Sequence, residues 1–127
     1  MLVGVGEADR PEDAERLAAK VAGLRVFDDH RGRLSKAVGD VGGAVLAVPN
    51  FTLYGDIRDG RRPDLTGAAP PDKGQRLFDL FCGAARAKGV RVEAGRFGAL
   101  MRVVIEADGP VTIVASTERW EEGELGG

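Results

Sequence analysis

The sequence predicts an α+β domain in which two helices pack on a strongly curved, partly antiparallel and barrel-like β-sheet. Two segments repeat apolar residues at the 3.6-residue helical period, and five short apolar runs bounded by turn residues are typical of strands. The connections between most of these segments are short. The length of 127 residues, with 43% hydrophobic and 30% charged residues, fits one globular domain rather than two.

The first helix is predicted over residues 11–23. Pro11 suits a first helical position because proline fixes a helical φ and lacks a donor that the first turn would leave unpaired, and Gly23 suits the C-terminal end. The apolar positions that give the helical period are Ala14, Leu17, Ala18 and Val21.

Two strands and two turns follow the first helix. Residues 24–27 alternate as a short strand, while residues 28–32 and 39–43 are predicted turns because of their Asp and Gly content. Residues 44–48 are continuously apolar, which indicates a buried strand that runs directly into Pro49.

A long loop then leads to the second helix. Residues 55–71 show no periodicity and carry several arginines, and a loop of that length in a compact domain is usually functional or mobile. Asp72 is predicted to start the helix, with Gln75 as part of a capping-box variant, and Gly89 to end it. The predicted buried stripe is Leu77, Phe78, Phe81, Cys82 and Ala85.

Three short strands are predicted to close the domain, at residues 90–92, 100–105 and 111–115. Residues 1–116 therefore form the single predicted domain. Residues 117–127 are acidic and rich in glycine, and we expect them to form a flexible tail.

Composition argues against several classes of function. The formal net charge of −2 argues against a protein that grips nucleic acid by charge alone, so any RNA contact must be local. The single cysteine, Cys82, excludes an internal disulfide framework and a cysteine-rich zinc site. No apolar run approaches the roughly 20 residues that span a bilayer. The N-terminus lacks the basic start of a secretory signal, which favours a cytoplasmic location.

No conventional catalytic set is evident in the sequence. His30 is interpreted as a solvated turn histidine rather than a base, and Cys82 as a small buried hydrophobe rather than a nucleophile. Glu12 and Glu15 lie near the start of a helix, where they complement the helix dipole. The segment Gly4-Val5-Gly6 lacks the third glycine of a dinucleotide-binding loop.

Two polar interruptions of apolar strands are candidate ligand sites. They are Pro49-Asn50-Phe51-Thr52-Leu53 and Asp108-Gly109-Pro110-Val111-Thr112, and residues that interrupt a strand in this way often face a ligand. The residues of each segment also fit a plainer interpretation, in which they have a structural role and bind no ligand. The second segment also fits an ordinary tight turn, and Thr52 also fits a strand-end threonine that bonds its own backbone.

These two segments, with three others, resemble the D-aminoacyl-tRNA deacylase (D-tyrosyl-tRNA deacylase) family in order and approximate spacing. The likeness runs from Met1 to about Ser116. The matching segments are Phe51-Thr52-Leu53, Gly60-Arg61-Arg62-Pro63, Ala68-Ala69-Pro70-Pro71, Gly95-Arg96-Phe97-Gly98-Ala99 and Gly109-Pro110-Val111-Thr112.

The resemblance implies a homodimeric enzyme that edits charged tRNA without a cofactor or a metal. Such an enzyme hydrolyses the ester of D-aminoacyl-tRNA, and of glycine mischarged on tRNA-Ala, and releases the free amino acid and tRNA as chiral proofreading. Its active site lies at the subunit interface and receives the 3′ end of the tRNA. The family's Gly-Pro bond is cis and enters the partner's pocket, where backbone groups exclude L-amino acids. Gly109-Pro110 is the matching pair here.

The resemblance also implies roles for individual residues. Backbone N–H groups near Phe51 and Thr52 are expected to face the developing oxyanion. Thr52 is expected to contact the substrate carbonyl or its attacking water. The RNA's own 2′-hydroxyl is expected to assist the reaction. Arg61 and Arg62 are the candidates for tRNA phosphate contact. The expected substrate-binding residues are Asn50, Phe97, Met101, Gly109 and Pro110.

Two features depart from the family pattern. Pro49-Asn50 stands where the family usually has Ser-Gln, and the chain starts inside a strand that family members reach only after an N-terminal hairpin with an early arginine. A second hypothesis is therefore a catalytically impaired module that binds tRNA or another partner and retains the fold. A third is an unrelated small α+β enzyme, which would have a trans Gly109-Pro110 bond away from any subunit interface.

Overall fold

The computed structural model describes residues 1–118 and Trp120. Most of the predicted tail, residues 117–127, lies outside the described residues. Within the described part of the chain, no helix is both long enough and apolar enough to cross a membrane.

Two α-helices, five short strands and one 3-10 helix make up the regular structure of the described residues. In chain order they are β1 (Leu2–Val3), α1 (Pro11–Gly23), β2 (Phe27–Asp28), β3 (Leu34–Lys36), β4 (Ala44–Pro49), the 3-10 helix (Phe51–Tyr54), α2 (Pro71–Ala87) and β5 (Arg91–Ala94).

The main sheet has three parallel strands in the order β1-β4-β5. Its register pairs Leu2 with Val48 and Ala44 with Arg91. In the described part of the chain, antiparallel pairing occurs in a separate hairpin of β2 and β3 and in two isolated bridges, which join Gly6 to Ala68 and Asp56 to Asp64. The predicted α+β class with two helices is confirmed, but the barrel-like sheet is wrong: the observed sheet is open, because β1 and β5 do not pair with each other or with a further described strand.

Helix α1 has the predicted bounds and begins with the predicted proline. The Asp13 carboxylate accepts a hydrogen bond of 2.8 Å from the backbone N–H of Arg10, which satisfies a donor just before the helix starts. The buried face of α1 consists of the small residues Ala14 and Ala18.

Helix α2 starts one residue earlier than predicted, at Pro71, with Pro70 as its N-cap and no side-chain cap hydrogen bond. The predicted capping box of Asp72 and Gln75 is therefore wrong. A proline at the first helical position needs no partner for a backbone N–H, so the start depends less on a side-chain acceptor. Beyond the last turn, Gly89 has a φ of +87°, a conformation that favours glycine, and the predicted C-terminal end is confirmed.

The core lies between the two helices and one face of the three-stranded sheet. It joins the buried side of α1 to Val3 of β1, Ala47 of β4 and Val92 of β5. The predicted buried stripe of α2 is confirmed at all five positions. Phe78 and Phe81 are the largest fully buried side chains, and burial of each contributes about 1.5–3 kcal/mol of hydrophobic free energy.

The strand predictions after the core are only partly right. Residues 90–92 overlap β5, and residues 24–27 meet β2 only at Phe27. Residues 100–105 and 111–115 are not strands: they form no ladder with any described residue. Apolar alternation favours an extended backbone, but a strand also needs a neighbour that takes up its N–H and C=O groups.

Candidate functional site

The site region begins where β4 ends. The backbone N–H of Asn50 donates to the carbonyl of Val3 at 2.8 Å, which continues the pairing of β1 with β4 by one residue. The chain then turns into the 3-10 helix Phe51–Tyr54. The parallel sheet thus fixes the point from which this short helix projects.

The Asn50 side chain caps the 3-10 helix. Its Oδ1 accepts a hydrogen bond from the Thr52 backbone N–H at 3.3 Å and another from the Thr52 hydroxyl at 2.6 Å. Thr52 therefore does not bond its own backbone through its hydroxyl, as the plainer interpretation required. The Phe51 N–H, in contrast, has no acceptor among residues 1–118 and Trp120.

A small cavity of about 20 Å³ lies beneath this turn. This volume holds about one water molecule, so it cannot contain an aminoacyl group. No charged residue lines it. The lining residues are Val3, Val5, Pro49, Asn50, Phe51, Ala69, Gly74, Phe78 and Phe97.

Phe97 and Met101 both pack close to the end of β4. The Phe97 ring is half-buried, and its centroid lies 6.4 Å from that of Phe78. A Cβ added to Gly74 would come within 2.9 Å of Phe97 Cζ, so glycine allows the ring to reach the helix surface. A Cβ added to Gly95 would meet Met101 Sδ at 3.1 Å and Pro49 Cδ at 3.3 Å. Two glycines thus make room for the two predicted pocket residues.

Tyr54 is a part of this region that the sequence interpretation missed. Its ring packs so closely on β1 and the following residues that a Cβ at Gly6 would lie 2.6 Å from Tyr54 Oη. Burial, assisted by the nearby Asp9 carboxylate, raises the pKa of Tyr54 to about 12. The segment Gly4-Val5-Gly6, which lacks the third glycine of a dinucleotide-binding loop, has glycines that accommodate this ring.

The loop before α2 is held by local bonds. Asp56 and Asp64 exchange two backbone hydrogen bonds of 2.8 Å each, and Gly60 between them has a φ of +69°. The guanidinium of Arg58 bonds to the Asp56 carboxylate at 2.6 Å, and these hydrogen bonds lower the pKa of Asp56 to about 2.

The two candidate phosphate-binding arginines lie in the same loop. Arg61 and Arg62 are exposed and form no ion pair with any residue in the described ranges, unlike Arg58. Their charges therefore remain available to an external anion.

The second motif lies outside the cavity. The Gly109-Pro110 peptide bond is cis, as the resemblance implied, and both residues are exposed. Neither residue lines the cavity at the 3-10 helix. The structure therefore brings together Asn50, Phe51 and Phe97, with Met101 beside them, but it does not bring Gly109 and Pro110 into that group within one chain.

The other titratable candidates do not form a site. His30 is exposed in the turn between β2 and β3, and Cys82 is buried in the core, where burial raises the pKa of its thiol. The predicted turn position of His30 and the predicted burial of Cys82 are confirmed. Among residues 1–118 and Trp120, no three His, Cys, Asp or Glu side chains come close enough together to hold a metal ion.

Comparison with known proteins gives consistent matches across most of the chain. A sequence model of the family described as "D-Tyr-tRNA(Tyr) deacylase" matches residues 1–116. A D-aminoacyl-tRNA deacylase of Thermotoga petrophila is 50% identical over 119 residues, which cover 94% of this chain and 80% of the relative. One from Koribacter versatilis is 49% identical with the same coverage.

Two solved structures share the fold. One, described as c-Myc DNA Unwinding Element Binding Protein, is 36% identical with a TM-score of 0.81, and the match covers 91% of this chain and 79% of that chain. The other, described as a probable eukaryotic D-amino acid tRNA deacylase, is 21% identical with a TM-score of 0.60, and the match covers 76% of this chain and 71% of that chain.

Proposed function

Because this chain belongs to the D-Tyr-tRNA(Tyr) deacylase family, we propose that it is an ester hydrolase that removes D-amino acids from the 3′ end of tRNA. The products are the free D-amino acid and the uncharged tRNA. The observation that carries this proposal is the family match over residues 1–116, which includes both motifs. The alternative of a catalytically impaired binding module is not favoured, because relatives about 50% identical are named as deacylases.

The chemistry at the 3-10 helix relies on positioning rather than on an acid-base pair. Water attack on the ester carbon places negative charge on the carbonyl oxygen, and an N–H group aimed at that oxygen stabilises the charge. The Phe51 N–H suits this role because no described residue accepts a hydrogen bond from it. The RNA's 2′-hydroxyl, held next to the ester, assists the reaction without a protein base.

The pocket is completed by a second copy of the chain in this proposal. Gly109 and Pro110 are exposed and lie outside the cavity lining of their own chain, so they are free to enter a partner's site. Backbone groups there surround the α-carbon of the substrate and exclude the L-configuration by steric contact. Glycine has no side chain and so meets no steric contact in this pocket. Glycine mischarged on tRNA-Ala is therefore a second substrate.

The remaining predicted residues have supporting roles. Phe97 and Met101 form the wall of the pocket next to Asn50, and their packing against the end of β4 supports this assignment. Arg61 and Arg62 contact tRNA phosphates, since they are exposed cations without an internal ion pair in the described part of the chain. The location is cytoplasmic, where aminoacyl-tRNA is used.

The proposal is tested by release of amino acid from D-tyrosyl-tRNA and from L-tyrosyl-tRNA by the purified protein. We expect rapid release from the D-ester and release at the rate of buffer from the L-ester, which serves as the matched control. Release from the D-ester at the rate of buffer alone would contradict the proposal. Glycyl-tRNA-Ala in the same assay tests the second substrate.

A further inference from the structure

The turn between β2 and β3, residues 29–33, is held by the Asp29 carboxylate. Its oxygens accept hydrogen bonds from the backbone N–H of Arg31 at 2.7 Å, the backbone N–H of Arg33 at 3.0 Å and the Ser35 hydroxyl at 2.9 Å. Gly32, which has a φ of +74°, donates its backbone N–H to the Asp29 carbonyl at 3.1 Å. One acidic side chain therefore fixes the backbone of a turn that carries two arginines.

The guanidinium groups of Arg31 and Arg33 take no part in these bonds. Both residues are exposed, and neither side chain forms a hydrogen bond or an ion pair within residues 1–118 and Trp120. Arg86, in contrast, donates its guanidinium to the Val92 carbonyl at 3.0 Å. The fold thus uses the backbone of the turn and leaves both guanidinium groups in solvent.

The hairpin that carries this turn is basic, although the formal net charge of the whole chain is −2. Within residues 25–36 the basic residues are Arg25, Arg31, Arg33 and Lys36, and the acidic ones are Asp28 and Asp29. The Asp29 carboxylate faces the donors of its own turn, so the hairpin presents mainly positive charge to solvent. Such a surface suits a polyanion, and the planar fork of arginine matches a phosphate group.

The cavity beneath the 3-10 helix cannot supply the contacts that a tRNA needs beyond its 3′ end. It holds about 20 Å³, and no charged residue lines it. Contacts between cations and phosphates give a large share of the affinity of a protein for nucleic acid. Affinity for the remainder of the tRNA must therefore come from exposed cations elsewhere on the surface.

We propose that Arg31 and Arg33, in the turn between β2 and β3, bind phosphates of the tRNA outside its 3′-terminal adenosine. The inference rests on the proposed function and deepens it, because it assigns a second segment to the phosphate backbone besides Arg61 and Arg62. Asp29 fixes the backbone from which both arginines extend.

The test is binding of uncharged tRNA-Tyr to the full chain at a series of salt concentrations. The double variant of Arg31→Ala with Arg33→Ala removes only the side chains, so the backbone bonds to Asp29 remain possible. We expect the Kd to rise about tenfold at low salt, as for the loss of two exposed ion pairs. The slope of log K against log salt should become shallower by about 1.4–1.8, which corresponds to two lost phosphate contacts.

Two further variants separate a phosphate contact from a general effect of charge. Lys20→Ala with Lys88→Ala removes the same charge from the two helices and should leave the Kd within about twofold and the slope unchanged. Arg31→Lys with Arg33→Lys keeps both charges in the turn and should retain the salt slope and most of the affinity. Equal losses in the alanine variants of the turn and of the helices would overturn the inference.

Hydrolysis provides a second measurement, with D-tyrosyl-adenosine as a substrate that lacks the remainder of the tRNA. In the double alanine variant of the turn, kcat/KM should fall about tenfold for D-tyrosyl-tRNA and stay within about twofold for D-tyrosyl-adenosine. An equal loss for both substrates, or an unchanged Kd for tRNA-Tyr, would overturn the inference. Because the binding measurement uses uncharged tRNA, it is independent of turnover. If the wild type shows the expected binding but does not hydrolyse D-tyrosyl-tRNA, the proposed function fails and the inference about the turn stands.

Discussion

Residues 1–98 and residues 100–116 use their apolar side chains in different ways. In the first region, apolar residues from both helices and all three strands of the main sheet meet in one core. In the second region, Val104 is 83% exposed and Val114 is 94% exposed. Both regions contain apolar runs of similar character, so apolar sequence alone does not produce burial.

The difference between the two regions shows that an extended segment depends on a neighbouring segment more than a helix does. A helix satisfies its own backbone and needs only one apolar face covered, whereas an extended segment needs a neighbour for its backbone and its side chains. The exposed second region also carries Gly109 and Pro110, the residues proposed to enter another subunit. The packed region forms the cavity beneath the 3-10 helix, and we propose that the exposed region of a second chain covers it.

The largest expected effect concerns the packed region. Phe81→Ala removes a ring that is 2% exposed, and we expect it to lower the free energy of unfolding by about 3–5 kcal/mol. Val114→Ala is the control and should change it by less than about 0.5 kcal/mol in the isolated chain. Urea denaturation at low protein concentration measures both. Similar losses for the two variants would contradict the distinction between the regions.

The next effect concerns the exposed region in solution. Lysine at positions 104 and 114 together should leave the unfolding of the isolated chain nearly unchanged, because Val104 and Val114 are exposed there. If this surface is the subunit contact, burial of the two charges should weaken the dimer at least about tenfold. Sedimentation at a series of concentrations gives the dissociation constant. An unchanged constant would place the contact elsewhere.

A smaller effect tests the packing of Phe97 on α2, next to the cavity beneath the 3-10 helix. Gly74→Ala places a Cβ 2.9 Å from Phe97 Cζ, so the ring must shift, and we expect a loss of about 1–3 kcal/mol of stability. Gly83→Ala in the same helix meets nothing within 4 Å and should stabilise by up to about 1 kcal/mol. Thermal unfolding of both variants shows whether each substitution raises or lowers the stability. Stabilisation by Gly74→Ala would show that Phe97 does not pack on α2.

The smallest expected effect is a titration. Tyr54 is the sole tyrosine of the sequence, so absorbance of tyrosinate reports on it alone. The folded chain should titrate at a pKa of about 12, above the ordinary value near 10, chiefly because of burial. Because the pKa is raised in the folded state, the contribution of neutral Tyr54 to the free energy of unfolding is fully present below pH 10. It is lost as the pH rises through 12. A midpoint near 10 in the folded chain would contradict the packing of Tyr54 on Gly6.

The sequence predicted the helices well because helices depend mainly on local patterns. Pro11 and the apolar repeat gave the bounds of α1, and the stripe that contains Phe78 and Phe81 gave the buried face of α2. The start of α2 was misplaced because Asp72 suggested a cap, although Pro71 begins the helix without one.

The strands were predicted less well because their pairing is not local. Residues 100–105 and 111–115 alternate like strands, yet no described residue pairs with them. The hairpin of β2 and β3 was missed for the opposite reason: Leu34–Lys36 has little apolar pattern, but it has a neighbour in β2.

The site was predicted through its motifs, but its internal bonds were not. The resemblance indicated Asn50, Phe51 and Phe97, and the structure brings these three to one cavity. The 2.6 Å bond between Asn50 and Thr52 depends on the torsion angles of a short turn, which no sequence pattern specifies. Tyr54 was missed because its role depends on contact with Gly4 and Gly6, about fifty residues earlier in the chain.

The central claim is that a D-aminoacyl ester is hydrolysed in a site shared by two chains, and mixing two defective chains tests it most directly. Phe51→Pro removes the N–H that we propose stabilises the oxyanion, and Gly109→Val places a bulky side chain on the segment that we propose enters the partner. Each variant alone should be nearly inactive on D-tyrosyl-tRNA. After the two are mixed and allowed to exchange subunits, half of the dimers should each contain one intact site, and activity should recover to about a quarter of the wild-type level. No recovery in a mixture that has formed mixed dimers would contradict the shared site.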